Sequence, residues 1–188
     1  DGAFYRCKKI SSVVIPDGLT DIKADTFQDC RKLHSVKIPD SVTRIERAAF
    51  AGCISLEKIK VPDQATEIQA YAFKDCVNLT SIAIPDGVKD LGLGALENCS
   101  GLKELHLPDD LTFCDALNGC SDDLVINYRG SDITYKAFTL TQEQSDGLED
   151  QKCLAIAKEA ADILGKDVYS PVLVSKLCNA EHSGKLEQ

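Results

Sequence analysis

The chain has 188 residues, of which 44% are hydrophobic and 27% charged, a composition typical of a globular protein with one packed core. Its net charge of -9 argues against a nucleic-acid groove, which needs a surplus of Lys and Arg, and against adsorption to anionic lipid. No apolar stretch approaches the roughly 18 residues that a membrane-spanning helix needs, so no membrane insertion is expected. The N-terminal residues lack the basic and apolar regions of a signal peptide, and none is expected in this sequence.

A 23-residue period runs through the first two thirds of the chain, and several residue types keep it independently. The proline column consists of Pro16, Pro39, Pro62, Pro85 and Pro108. The cysteine column consists of Cys7, Cys30, Cys53, Cys76 and Cys99, and the aromatic column of Phe4, Phe27, Phe50 and Phe73, followed by Leu96. A period of this length predicts a solenoid, in which each repeat buries its apolar side by stacking on its neighbours.

Each repeat divides into segments of different local structure. In residues 33–38, apolar residues alternate with polar ones, which is the period of a strand buried on one face. Pro39 ends that strand because it has no N–H to donate to a ladder. A turn of Asp and Ser follows, and Val42 and Ile45 then return to the interior on a second short extended segment. The part that begins at Ala49 fits a tight helical or turn segment on the opposite side.

The period is lost after about residue 130, so the sequence predicts two regions. Residues 1–130 form a repeat domain of about five repeats, and residues 131–188 form a tail. Apolar residues of the tail recur at helical spacing after Asp146 and again after Pro171, with Gly165 between them as a helix stop. This pattern predicts a C-terminal helical hairpin, which either covers the open end of the solenoid or begins a further domain.

The repeat consensus is clearest in residues 49–56 (AFAGCISL) and residues 38–42 (IPDSV). In this consensus the chain resembles the BspA-like (Treponema pallidum-type) leucine-rich-repeat family over residues 1–130. The resemblance implies a leucine-rich-repeat solenoid of the α+β type, with 23-residue units and short stacked parallel strands. It also implies a non-catalytic, secreted or cell-surface adhesion module that binds a protein or a cell-surface ligand. The alternative function is a structural scaffold segment that presents another domain of a longer parent protein.

Nine cysteines are the residues most suggestive of chemistry, and we interpret the repeated column as buried free thiols. Metal binding is the competing interpretation, but no two cysteines have C-x-x-C spacing and no histidine lies near one in a ligand pattern. Cys114 and Cys120 leave open a local disulfide. The aspartate after each repeat proline supplies too few oxygens for calcium. We therefore expect no cofactor, no metal site and, in the absence of paired carboxylates or a nucleophile motif, no enzyme activity.

The candidate binding surface lies on the strand that precedes each proline. Its outward positions place Lys37, Lys58 and Lys60 on neighbouring repeats, with His106 further along the same side. These four residues form the predicted binding site, a small basic patch suited to an anionic or carboxylate-bearing partner. The alternative is a solvated strand face on which lysines discourage unwanted pairing.

Overall fold

The structure is a computed structural model that describes residues 1–108, 111–113, 116–128 and 131–135. Within these residues the chain winds as a solenoid, and we call each turn of the solenoid a rung. The strands are β1 (Ser12–Val14), β2 (Asp21–Ile22), β3 (Ser35–Lys37), β4 (Arg44–Ile45), β5 (Glu67–Ile68), β6 (Ser81–Ala83), β7 (Asp90–Leu91), β8 (Glu104–Leu107), β9 (Thr112–Phe113), β10 (Val125–Tyr128) and β11 (Ser131–Thr134).

The first side of the solenoid is a parallel ladder made by the strands that precede the prolines. β1 pairs with β3, and β6, β8 and β10 pair in that order, all in parallel. A single parallel bridge between Lys58 and Ser81 carries the ladder through the rung between β3 and β6. In every pairing up to β8 the partners are 23 residues apart, which confirms the predicted stacking of short parallel strands.

The second side is a parallel sheet of two-residue strands in the order β2, β4, β5, β7 and β9. It confirms the second extended segment expected after each proline, with Ile45 and Ile68 buried and in register. The corner between the two sides is a turn closed by the backbone, as where the Val42 N–H donates to the Pro39 carbonyl at 3.1 Å. The proline therefore ends one strand and its carbonyl anchors the turn into the next.

The third side consists of turns that also bond from rung to rung. The Phe27 N–H donates to the Ala49 carbonyl, and the Phe50 N–H donates to the Ala72 carbonyl, each at 2.8 Å. Two positions in each of the first five of these turns, and one described position in the sixth, have a positive φ. The first set comprises Gly2, Asp25, Ala48, Tyr71 and Gly94, and the second comprises Arg6, Asp29, Gly52, Asp75, Asn98 and Gly119.

These left-handed residues correct one part of the predicted fold class. An α+β repeat was expected, but among the described residues the third side contains turns in place of helices. A right-handed helix cannot pass through a residue with a positive φ, and here two such residues lie four positions apart. The segment is therefore held by hydrogen bonds to the neighbouring rungs, with short local turns between them.

The core is aliphatic apart from one stack of aromatic rings. Phe4, Phe27, Phe50 and Phe73 lie one above another with ring centroids 5.3, 5.3 and 5.5 Å apart and planes within 12° of parallel. Phe50 and Phe73 are fully buried, and Leu96 continues the column, also fully buried. Phe4 is 41% exposed because it occupies the first described rung. The aromatic column is therefore a core element, as its period predicts.

The C-terminal end of the described solenoid closes with a reversal of chain direction. β10 pairs in parallel with β8 on one side and antiparallel with β11 on the other. The first ladder therefore continues to Thr134, a few residues past the predicted boundary at residue 130. The predicted helical hairpin after Asp146 lies outside the described residues.

Replacing Ala48 and Ala49 with glycine, one at a time, should separate backbone strain from packing. Both residues are buried, but only Ala48 has a positive φ. Ala49→Gly should lower the free energy of unfolding by about 1.5 kcal/mol, through the lost methyl group and the added freedom of the unfolded chain. Ala48→Gly should have little net effect, because relief of the left-handed strain, roughly 1–2 kcal/mol, offsets the same losses. Urea unfolding of both variants checks this, and equal destabilisation would contradict it.

Candidate functional site

The outward side of the first ladder is a continuous surface, which we call the ladder face. The register pairs Val14 with Lys37 and Ala83 with His106, and the Lys58–Ser81 bridge sets Lys60 opposite Ala83. The four residues of the predicted binding site therefore project from one face, and all four are exposed. Their shared placement agrees with the sequence pattern, while their role in binding remains a prediction.

Several other charged residues of the described chain are paired between neighbouring rungs. Lys74 Nζ lies 2.8 Å from Oε1 of Glu97, which is 23 residues further along the chain. The Arg44 guanidinium contacts the Asp21 carboxylate in the same way, and this hydrogen bond lowers the pKa of Asp21 to about 2. These residues lie on the second and third sides of the solenoid, where they form ion pairs with one another.

The lysines of the ladder face have fewer partners. Among the described residues, neither Lys37 nor Lys58 lies within 4.0 Å of a carboxylate. Lys60 Nζ lies 3.7 Å from Asp63 Oδ2, but both side chains are more than three quarters exposed, so this pair is weak. The ladder face thus presents a basic cluster whose charge is largely uncompensated by the rest of the described chain.

The opposite end of the ladder face is acidic, which the sequence reasoning missed. A groove of about 680 Å³ is lined there by Glu104, His106, Asp123, Asn127 and Asp132, among others. The Asn127 side-chain amide donates to the Asp132 carboxylate at 2.8 Å, across the antiparallel β10–β11 pair. The sequence pattern predicted that Glu104 faces outward. The position of Asp132 depends on the reversal of the chain between β10 and β11, and the 23-residue period does not predict that reversal.

Small side chains separate the basic end from the acidic end. Ser81 and Ala83 are the outward residues of β6, and they form part of the floor of a second groove of about 380 Å³. This groove is lined on one side by Lys58 and Lys60, with Asp63 beside them, and on the other by Glu104 and His106. The ladder face is therefore divided by a notch, one rung wide, between side chains of opposite charge.

The cysteine column consists of free thiols, as predicted, and all its members except the half-buried Cys7 are buried and bonded to a backbone carbonyl. The thiol of Cys53 donates to the Phe27 carbonyl of the preceding rung at 3.2 Å, and Cys76 donates likewise to Phe50 at 3.3 Å. Cys120 is also a free thiol, bonded to the Leu96 carbonyl, so it is not joined to Cys114. Cys114 itself lies outside the described residues.

Burial makes these thiols poor nucleophiles. Desolvation raises the pKa of Cys53 to about 12, because the thiolate would lose its hydration inside the core. The same cause raises the pKa of Cys120 to about 12. A catalytic or metal-binding cysteine needs the thiolate, which these positions disfavour.

Two other kinds of site are absent from the described part of the chain. Within that part, no group of three or more His, Cys, Asp or Glu side chains is placed to hold a metal ion. The same residues include no helix that is long and apolar enough to cross a membrane.

The fold and the repeat pattern are shared with solved bacterial proteins. A leucine-rich repeat protein from Bacteroides ovatus is 35% identical with a TM-score of 0.61, over 65% of this chain and 32% of that chain. The T. pallidum leucine-rich-repeat protein TpLRR is 30% identical with a TM-score of 0.55, over 62% of this chain and 57% of that chain. The pneumococcal vaccine antigen PcpA shares the fold at 24% identity and a TM-score of 0.59, over 64% and 30% of the two chains.

The chain thus spans less than two thirds of each of these relatives. A search of the curated proteins found no match. The family model for the BspA type leucine rich repeat region matches residues 1–121 in six copies, which is more than half of the chain. On this match, and on the solenoid geometry, the chain belongs to the BspA-type leucine-rich-repeat family.

Proposed function

We propose that the chain is a non-catalytic binding module that recognises a protein through its ladder face. Leucine-rich-repeat proteins are generally protein-interaction modules. The family resemblance further supports a secreted or cell-surface protein that mediates adhesion to a host or cell-surface component.

One observation carries this proposal. Lys37, Lys58 and Lys60 form an exposed cluster on a ladder of short strands, and within the described residues their only ion pair is the weak one between Lys60 and Asp63. An uncompensated basic cluster on a chain of net charge -9 favours a partner that brings carboxylates or other anionic groups to that spot. His106 lies further along the same face and extends the surface available for contact.

Charge reversal of this cluster tests the proposal. A triple variant, Lys37→Glu, Lys58→Glu and Lys60→Glu, should lose binding to purified extracellular-matrix and cell-surface proteins presented on an array at fixed salt. We expect at least about a tenfold loss of affinity for any protein bound through this face, because three attractive contacts become repulsive. Surface plasmon resonance with each array hit gives the affinity.

The matched control reverses the charge of three lysines that lie outside the ladder face. Lys8→Glu, Lys9→Glu and Lys32→Glu cause the same change in net charge at exposed positions in the turns before the strands. This variant should retain binding. Equal affinity of the ladder variant and the unmodified chain would overturn the proposal. It would favour the alternative, a scaffold segment that presents another domain.

A further inference from the structure

The notch in the ladder face has the dimensions of one extended chain. Ser81 pairs with Lys58 on one side and with Glu104 on the other. Because neighbouring strands of a sheet lie about 4.8 Å apart, the two walls of the notch are separated by about 10 Å between Cα atoms. The floor residues Ser81 and Ala83 are the smallest outward pair on the central rungs.

In each wall of the notch, the outward side chains are two residues apart along the chain, which is the repeat of an extended strand. Lys58 and Lys60 are two residues apart along the same wall, as are Glu104 and His106 on the other. Side chains of an extended peptide alternate in direction, so residues i and i+2 point to one side, about 7 Å apart, and residue i+1 points to the other. A peptide lying along the notch therefore presents alternate residues to the wall of Lys58 and Lys60 and to the wall of Glu104 and His106.

We propose that this notch binds an extended peptide segment in which acidic and basic residues alternate. The acidic side chains lie against Lys58 and Lys60, and a basic side chain lies against Glu104. This assignment rests on the proposed function of the ladder face and narrows it to a partner of one chemical class. Asp63, 3.7 Å from Lys60, is the other charged side chain that lines the notch, and it leaves Lys58 as the stronger anchor for an acidic side chain.

Peptide probes test the assignment with the full chain. The blocked hexapeptide Glu-Lys-Glu-Lys-Glu-Lys should bind about fivefold more tightly than its block isomer Glu-Glu-Glu-Lys-Lys-Lys, which has the same composition and net charge. Glu104→Lys should weaken binding of the alternating peptide and strengthen binding of hexaglutamate. Titrations followed by ¹H–¹⁵N NMR give the dissociation constants at millimolar peptide.

A steric variant separates the notch from charge alone. Ala83→Tyr fills the notch without altering any charge, and it should lower the affinity for the alternating peptide about fivefold or more. Val14→Tyr is the matched control, since Val14 occupies the equivalent outward position on β1, is 72% exposed and lies away from the notch. It should leave the affinity unchanged.

The outcomes distinguish this inference from the proposed function. Equal binding of the two isomers, no binding of the alternating peptide at millimolar concentration, or no effect of Ala83→Tyr would each overturn the inference. If array binding is still lost in the triple lysine variant, the ladder face remains the binding surface and only the peptide assignment is wrong. If array binding also survives the lysine reversal, both are wrong.

Discussion

Phe50→Ala is expected to destabilise the solenoid by about 3–5 kcal/mol. Phe50 is fully buried and stacks between Phe27 and Phe73 at 5.3 and 5.5 Å. Removing its ring leaves a cavity and also ends two ring contacts, so the packing of this rung against both neighbouring rungs is weakened. Guanidinium or urea unfolding followed by circular dichroism measures the change in the free energy of unfolding.

Two further variants test whether the loss of the buried, stacked ring accounts for this destabilisation. Phe4→Ala removes a ring from the same column where it is 41% exposed and stacks on one ring, Phe27, so its cost should be clearly smaller. Phe50→Leu should also cost less than Phe50→Ala, because Leu96 fills the equivalent position in its own rung without exposure. If the two alanine variants lose the same stability, the stack contributes nothing beyond ordinary contact and the prediction is wrong.

The stability of the chain is expected to fall steeply as the pH rises above 9. Burial raises the pKa of Cys53 and Cys120 to about 12, and raises that of Cys76 and Cys99 as well. Below the ordinary thiol pKa both the folded and unfolded states hold these protons, so the pH has no effect through them. Above it the unfolded state releases protons that the folded state retains. Each buried thiol then lowers the free energy of unfolding by about 1.4 kcal/mol per pH unit until its folded pKa is reached.

Cys53→Ser measures one thiol's share of this effect. A serine hydroxyl keeps a donor for the Phe27 carbonyl but does not titrate in this range. Between pH 9.5 and 11.5, approximately, the variant should lose about 1.4 kcal/mol per pH unit less than the unmodified chain. Below about pH 8 the difference between the two proteins should be constant. Parallel curves over the whole alkaline range would show that Cys53 ionises as readily in the folded chain as in the unfolded one.

The sequence by itself determined the solenoid because its residue pattern is periodic. Alternation in residues 33–38, the proline at 39 and the return of Ile45 each have a local physical cause, and each recurs every 23 residues. Stacking then follows from the need to bury the apolar side of every repeat. For the same reason, the burial of Phe50 and Cys53 and the outward direction of Lys37 were readable from the period alone.

Tertiary structure decided what the period leaves undetermined. A repeat such as AFAGC is compatible with a helical turn or with an irregular one, and rung-to-rung hydrogen bonds selected turns with a left-handed residue at Ala48 and Gly52. The reversal into β11 brought Asp132 beside Asn127, although nothing in the local sequence marks that pairing. The notch over Ala83 likewise exists only because larger charged side chains lie on both neighbouring rungs. Sequence fixes which residues face outward, whereas contacts between rungs decide which of them form a surface together.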